Sequence, residues 1–289
     1  MIESAASESR AGTETRVPLT AAARYDALRA RVTELDSVLV AYSGGVDSTL
    51  LSFAAHAVLG DRTLAVLAIS ETYPGCEIEA ARDTARQLRL NLLEIETDEL
   101  ADPRFSSNPP DRCYYCKQEL FGMLRAVADA RGLAHVADGS NADDVSDHRP
   151  GRRAAAEYGV VSPLLEVGMT KTDIREVSRA LDLPTWDKPS MACLASRFPY
   201  GSLIDEGSLR RVAEAEDALR SLGLRQFRVR SHGDVARLEV EPSEMDAAWA
   251  CRDRISAALR QAGFAYVTQD LEGYRTGSLN ETLGSGGNA

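Results

Sequence analysis

The segment Ser43-Gly44-Gly45-Val46-Asp47-Ser48 constrains this chain more than any other. Before it lies Val38-Leu39-Val40-Ala41-Tyr42, a short apolar run bounded by Asp36-Ser37. After it, Ser48 to Leu59 carries apolar residues at helical spacing and stops at Gly60. A buried strand, a glycine-rich turn and a helix, in that order, make an anion site. The glycines let the backbone approach a charged ligand, and the helix start offers unpaired N–H groups and the positive end of its dipole. Ser43 and Ser48 can add hydroxyl donors. Asp47 would repel a bare phosphate, so holding Mg²⁺ or orienting the loop is its expected task. The pattern G-x-x-x-x-G-K-[ST] occurs nowhere, which excludes a Walker-type loop.

The surrounding segments repeat the alternation. Leu64 to Ile69 and Asn91 to Ile95 read as further strands. Glu77 to Leu90, Lys117 to Arg131 and Lys171 to Leu181 read as helices, and Ala134 to Ala137 leads into Asp138-Gly139-Ser140-Asn141. Strands alternating with helices predict an α/β, Rossmann-like domain with a parallel sheet over residues 21–199 and ligands at the carboxyl ends of its strands. From Tyr200 the pattern changes. Ser208 to Leu222 and Ser243 to Gln261 read as helices, and Phe227 to Arg230, Ala236 to Val240 and Tyr266 to Thr268 as strands. This predicts a small α+β domain over 200–283, with disordered tails over 1–20 and 284–289.

Charge narrows the partners. The 289 residues hold 33 Lys and Arg against 44 Asp and Glu, a net charge of −11. That balance disfavours broad, stable binding to nucleic acid, which needs clustered cations. No apolar run of about 18 residues could span a membrane. The polar N-terminus lacks the pattern of a secretory signal. Five cysteines at uneven spacing do not form a disulfide framework, so the expected location is the cytoplasm.

Three of those cysteines demand an account. Cys113 and Cys116 form a C-x-x-C pair after the Pro-rich loop Asn108-Pro109-Pro110-Asp111-Arg112, and Cys193 lies in a second polar loop. Buried small hydrophobes are one reading. A zinc site completed by His135, His148 or His232, or a redox pair, is another. A [4Fe–4S] cluster on three thiolates, with one iron open to an added sulfide, is a third. Cys76 and Cys251 are isolated and read as ordinary core or surface thiols.

SGGVDS after a buried strand resembles the signature of the PP-loop ATP pyrophosphatases. Asp138-Gly139-Ser140-Asn141-Ala142-Asp143-Asp144 and Thr170-Lys171-Thr172-Asp173-Ile174-Arg175 resemble two further stretches of that group. Beyond these, the chain resembles one branch, the LarE sulfur transferases. The matching segments include Tyr114-Tyr115-x-Lys117, Asp147-x-Arg149-Pro150-Gly151, Ser196-Arg197-Phe198-Pro199-Tyr200-Gly201, Arg228-Val229-Arg230 and Asp270-Leu271-x-Gly273-Tyr274-Arg275. The resemblance runs from near Leu35 to about Leu283.

It implies use of ATP and Mg²⁺, adenylation of pyridinium-3,5-biscarboxylic acid mononucleotide, release of pyrophosphate, and sulfur insertion toward the nickel-pincer nucleotide cofactor. It implies phosphate contacts for Ser43, Gly44, Gly45, Val46, Asp47, Ser48, Ser140 and Lys171. Ser196, Arg197, Arg228, Arg230 and Glu216 would face the substrate, and Lys117 would stand near the reacting groups. In members that sacrifice their own sulfur, a cysteine stands five residues before the Arg of SRFPYG. Here that position is Ala192, with Cys193 one residue on. Cys113, Cys116 and Cys193 therefore resemble the cluster-binding variant, with sacrifice of Cys193 as the alternative. The expected partners are a nucleotide substrate, a sulfur donor whose identity stays open, and further copies of the chain in a homo-oligomer.

Other classes fit less well. An ammonia-using ligase would need a glutaminase domain, and the chain has no length to spare for one. A tRNA thiolase would bind a polyanion, against the acidic balance. A nucleotide sensor would leave the three cysteines and two strand arginines without work.

Overall fold

The computed structural model describes residues 20–146, 150–190, 192–275 and 277–281. The two expected tails fall outside the described residues, Thr20 apart, and so do Asp147, His148 and Arg149.

Four strands, β1 (Val38–Tyr42), β2 (Thr63–Ile69), β3 (Leu92–Glu96) and β4 (His135–Ala137), pair in parallel in the order β3-β2-β1-β4. The two central strands are near-continuous apolar runs because helices cover both faces. On one face α1 (Ala21–Glu34), α2 (Val46–Leu59) and α8 (Lys171–Ala180) bury Leu28, Val32, Leu50, Leu51, Ile174 and Val177 with Val38 and Val40 of β1. On the other, α5 (Arg112–Arg131) and α6 (Gly151–Glu157) bury Phe121, Leu124 and Ala154 with Leu39, Val66 and Val136. Helix α3 (Gly75–Gln87) and the single turns α4 (Pro103–Ser106) and α7 (Pro163–Glu166) complete this part.

The strand order positions the site. The chain moves outward from β1 through β2 to β3, then returns to lay β4 on the other side of β1. Loops leaving β1 and β4 diverge there and open a crevice at their carboxyl ends. SGGVDS follows β1, and Gly139 follows β4.

The second part is a mixed sheet. Strands β5 (Phe227–His232) and β6 (Val235–Val240) form an antiparallel hairpin, and β7 (Tyr266–Gln269) lies parallel to β6. Helix α9 (Glu206–Ser221) brings Leu209, Val212 and Leu219 onto Val229 and Leu238, as the helical spacing predicts. One helix over 243–261 is expected, whereas α10 (Met245–Ala250) and α11 (Arg252–Gln261) are separated at Cys251. Cys251 takes φ −95°, ψ 8°, and packs against the core, so the change of direction keeps both helices on the sheet. Leu194, Ala195 and Phe198 also bury their side chains in this second core. No described helix is long and apolar enough to cross a membrane.

Candidate active site

The phosphate loop is held open by its own serines. Ser43 N–H donates to Ser48 Oγ at 3.1 Å, and the two hydroxyls lie 3.1 Å apart. Gly45 N–H points back to Ser43 Oγ at 3.4 Å. Gly44 adopts φ +68°, and a Cβ there would stand 2.5 Å from Ala81 Cβ of α3. Gly139 meets the loop from the β4 side, where a Cβ would stand 3.1 Å from Ser48 N. Both glycines thus allow backbones to close around one anion-sized space.

Asp47 and Lys171 meet across that space as an ion pair. Lys171 starts α8, whose Thr170–Asp173 capping box fixes the entry of the chain. Its backbone N–H donates to Asp143 Oδ2 at 2.7 Å, which ties α8 to the turn after β4. Burial pushes the Asp47 carboxyl above the usual range, against the pull of Lys171. Asp47 Oδ1 is buried and has no hydrogen-bond partner among the described residues. A hard cation suits such an oxygen, so the residues present fit Mg²⁺. Ser140 is turned to Asp138, donating from Oγ to Oδ2 at 2.8 Å.

Two cavities adjoin here, with Ser43, Tyr73 and Glu77 as shared walls. The larger is lined by Gly45, Val46, Asp47, Lys171, Arg175 and Lys188, three cations around the loop. Lys188 lies in no motif legible from the sequence. It donates to Gly44 O at 3.1 Å and pairs with Glu77 at 2.8 Å. The smaller cavity is more apolar and reaches Lys117 and Leu120. Lys117 lies 5.3 Å from the Phe121 ring centre, and a Cβ on Gly151 would stand 2.9 Å from its Cγ.

The C-x-x-C pair lies in the first turn and a half of α5, because the helix begins at Arg112 instead of near Lys117. Arg112 is buried, donates to Asn108 Oδ1 at 2.7 Å and stacks on Tyr200 at 4.9 Å. Asn108 Nδ2 donates to Pro199 O at 2.8 Å. These bonds fasten the start of α5 to the SRFPYG segment and bring Cys193 toward the pair. Cys116 donates from Sγ toward Glu99 Oε1 at 3.6 Å. Burial, then Glu99, and more weakly Cys193 and Cys113, push the Cys116 thiol well up. Cys113 is exposed and Cys193 half-buried. Among the described residues no three His, Cys, Asp or Glu side chains stand close enough to hold a single ion.

Tyr73, which sequence reasoning also missed, links the two centres. The half-buried residue lines both cavities. Burial raises its pKa well above the ordinary value, and Cys116, Cys193, Glu99 and Cys113 add to the rise.

The arginines divide into three situations. Arg197 is 0% exposed and pairs through Nε and Nη2 with both oxygens of Glu216, at 2.9 Å each. Its Nη1 donates to Ala192 O, Cys193 O and Ser196 Oγ, which holds the cysteine loop in place. Arg230 donates to Glu239 Oε2 at 2.9 Å, to Ser196 O and to Ser278 Oγ. Arg228 donates to the main-chain oxygens of Phe227 and Ser190 and stacks 5.1 Å from the Tyr274 ring centre. Burial and the neighbouring Arg197 lower its pKa to about 10.

A parallel sheet whose first strand runs into SGGVDS at the switch point defines a PP-loop α/β domain. No family model matches the chain. It is 39% identical over 265 residues to the pyridinium-3,5-bisthiocarboxylic acid mononucleotide synthase of Lactiplantibacillus plantarum, covering 91% of this chain and 96% of that one. It is 43% identical over 262 residues to an uncharacterised protein of Synechocystis, covering 90% and 98%. Similarity to a glutamine-hydrolysing GMP synthase chain of Archaeoglobus fulgidus is 23% over 54% of each protein. The chain belongs to the LarE family, and it is an enzyme.

Proposed function

We propose that this chain uses ATP to adenylate a carboxylate of pyridinium-3,5-biscarboxylic acid mononucleotide, releases pyrophosphate, and replaces the carboxylate oxygen by sulfur on the way to the nickel-pincer nucleotide. The carrying observation is that one residue, Tyr73, walls the phosphate-loop cavity and also neighbours Cys113, Cys116 and Cys193. Family membership supports the substrate class, since the L. plantarum relative is named for the bisthiocarboxylic product.

The residues suit each step. A substrate carboxylate oxygen attacks the α-phosphorus of ATP, and the α–β bridging bond breaks toward pyrophosphate. Loop N–H groups, Lys171, Arg175 and Lys188 receive the departing charge. Asp47 would hold Mg²⁺, which when bound offsets the charge of the phosphates. The acyl adenylate then has AMP as its leaving group, and sulfur attack at the carbonyl carbon expels it. A [4Fe–4S] cluster on Cys113, Cys116 and Cys193 would supply that sulfur as a sulfide on its open iron. Arg197 fixes the backbone of the Cys193 loop for this purpose.

Anaerobic protein is to be assayed for iron and sulfide, then supplied with the biscarboxylic nucleotide, ATP, Mg²⁺ and sulfide. The expected result is about four irons per chain, pyrophosphate and AMP in equal amounts, and repeated turnover. ADP and orthophosphate would rule out adenylation. Colourless protein that turns over once and leaves dehydroalanine at Cys193 would replace cluster delivery by sacrifice.

A further inference from the structure

Tyr73 lies outside the phosphate-loop, cysteine and arginine motifs, yet it occupies the boundary between the two halves of the chemistry. It sits in the turn after β2, with its N–H donating to Ser70 O at 3.2 Å. The preceding residue, Thr72, is buried and accepts from Leu194 N–H at 2.7 Å. Leu194 follows Cys193 directly, so this bond holds residues 72–73 beside residues 193–194. Thr72 is held in turn by Ser70, whose Oγ lies 2.7 Å from Thr72 Oγ1. On its other side, Tyr73 lines the cavity of Gly45, Asp47 and Lys171 and the cavity of Lys117.

We infer that the Tyr73 ring is the partition between the adenylation pocket and the sulfur centre, a positioning residue that keeps water from the acyl adenylate until sulfur arrives. The inference rests on the reaction proposed above. An acyl adenylate has two competing fates. Sulfur attack gives thiocarboxylate and AMP, while water attack gives the original carboxylate and AMP, with ATP consumed for nothing. Both fates release AMP, so their balance depends on which nucleophile reaches the carbonyl carbon. A broad aromatic face at the junction of the cavities narrows the space around the acyl adenylate, and truncating it would admit water beside the sulfur nucleophile. The ring, not the hydroxyl, is assigned the work, a division that Tyr73→Phe tests directly.

The test is a stoichiometry. Wild type, Tyr73→Phe and Tyr73→Leu are each supplied with the biscarboxylic nucleotide, ATP, Mg²⁺ and sulfide, and AMP is counted against thiocarboxylate by mass spectrometry. Oxygen-18 water is included, since hydrolysis writes the label into recovered substrate or AMP. Tyr73→Phe keeps the wild-type ratio. Tyr73→Leu, which fills volume without an aromatic face, raises AMP per thiocarboxylate at least several-fold and increases ¹⁸O incorporation, while pyrophosphate release persists. Tyr73→Val serves as a second truncation should the leucine variant fold poorly by thermal melt. A wild-type ratio in the truncated variants overturns the partition and leaves the proposed reaction standing. Uncoupling in Tyr73→Phe as well assigns the effect to the hydroxyl and also overturns it. Wild-type protein that releases no pyrophosphate refutes the reaction itself, an outcome distinct from both.

Discussion

Arg197 and Glu216 meet out of contact with water, and their pairing shows how much a single residue's surroundings decide. Glu216 also accepts from Val229 N–H at 3.0 Å, so one carboxylate joins the cysteine loop, α9 and β5. Burial alone would raise the Glu216 pKa, but the Arg197 guanidinium and the Val229 N–H hold it below the usual range. Removing one member of a buried pair leaves the other charge uncompensated, at a cost of roughly 3–5 kcal/mol. Glu216→Gln is therefore expected to lower the unfolding free energy obtained by urea titration by an amount of that order. The pH dependence has a definite sign. A carboxyl with a folded pKa below its unfolded value of about 4.3 stabilises fully above that value, and the contribution disappears as pH falls through the folded one. Wild type should lose stability on that acid limb, and Glu216→Gln should lose less. An identical acid limb in both would remove Glu216 from this role. The sequence could place Arg197 and Glu216 near a site only through resemblance, because a contact between residues 19 apart leaves no local signal.

At the level of elements, the phosphate loop was the most legible part. Its strand, turn and helix are contiguous, so local pattern and function coincide. The reason for each glycine was not legible. Gly44 faces Ala81 of α3, with a hypothetical Cβ 2.5 Å from Ala81 Cβ and 2.8 Å from Ala81 Cα. Gly44→Ala adds left-handed strain of about 1–2 kcal/mol to that overlap. The expected outcome is loss of ATP binding by calorimetry with the far-ultraviolet spectrum retained. Ala81→Gly added to it should not restore binding, because the overlap with the main chain of α3 and the positive φ remain. Recovery in the double variant would show that only the side-chain overlap matters. The start of α5 was less legible, since Asn108-Pro109-Pro110-Asp111 reads as loop. The local Arg112–Asn108 bond, anchored by the tertiary bond from Asn108 to Pro199 O, accompanies a helix that starts at Arg112 and places Cys113 and Cys116 on helical turns. The break at Cys251 lacked a signal for the same reason, as packing against the second core sets it.

Across the whole molecule, the arginines of β5 bond to the segment that joins the two sheets, Arg228 to Ser190 O and Arg230 to Ser196 O. Alternation along the strand placed Arg228 and Arg230 on one face, and both are indeed largely buried, at 5% and 7% exposure. Their partners nevertheless differ, and we propose that they play different parts. Arg230 faces a carboxylate, Glu239, which is itself buried and also accepts from Arg237 at 3.0 Å. Its charge is balanced within the fold, and replacing it strands Glu239. Arg228 donates to main-chain oxygens, one of them Ser190 O in the segment that lines the phosphate-loop cavity. Nearby Arg197 and Arg230 disfavour its charge, so an incoming anion would be welcomed there in proportion. Arg228→Met is expected to raise KM for the biscarboxylic nucleotide by at least tenfold, with KM for ATP changed by less than a factor of about three and the thermal midpoint nearly unmoved. That tenfold corresponds to about 1.4 kcal/mol, modest for a charge-assisted hydrogen bond. Arg230→Met should instead lower the midpoint markedly, and Arg230→Met with Glu239→Gln should recover part of it, since the stranded carboxylate is then gone. Steady-state kinetics and melting curves on the three variants separate the roles. Equal KM effects in Arg228→Met and Arg230→Met, with unchanged stability in both, would return the pair to a shared anchor.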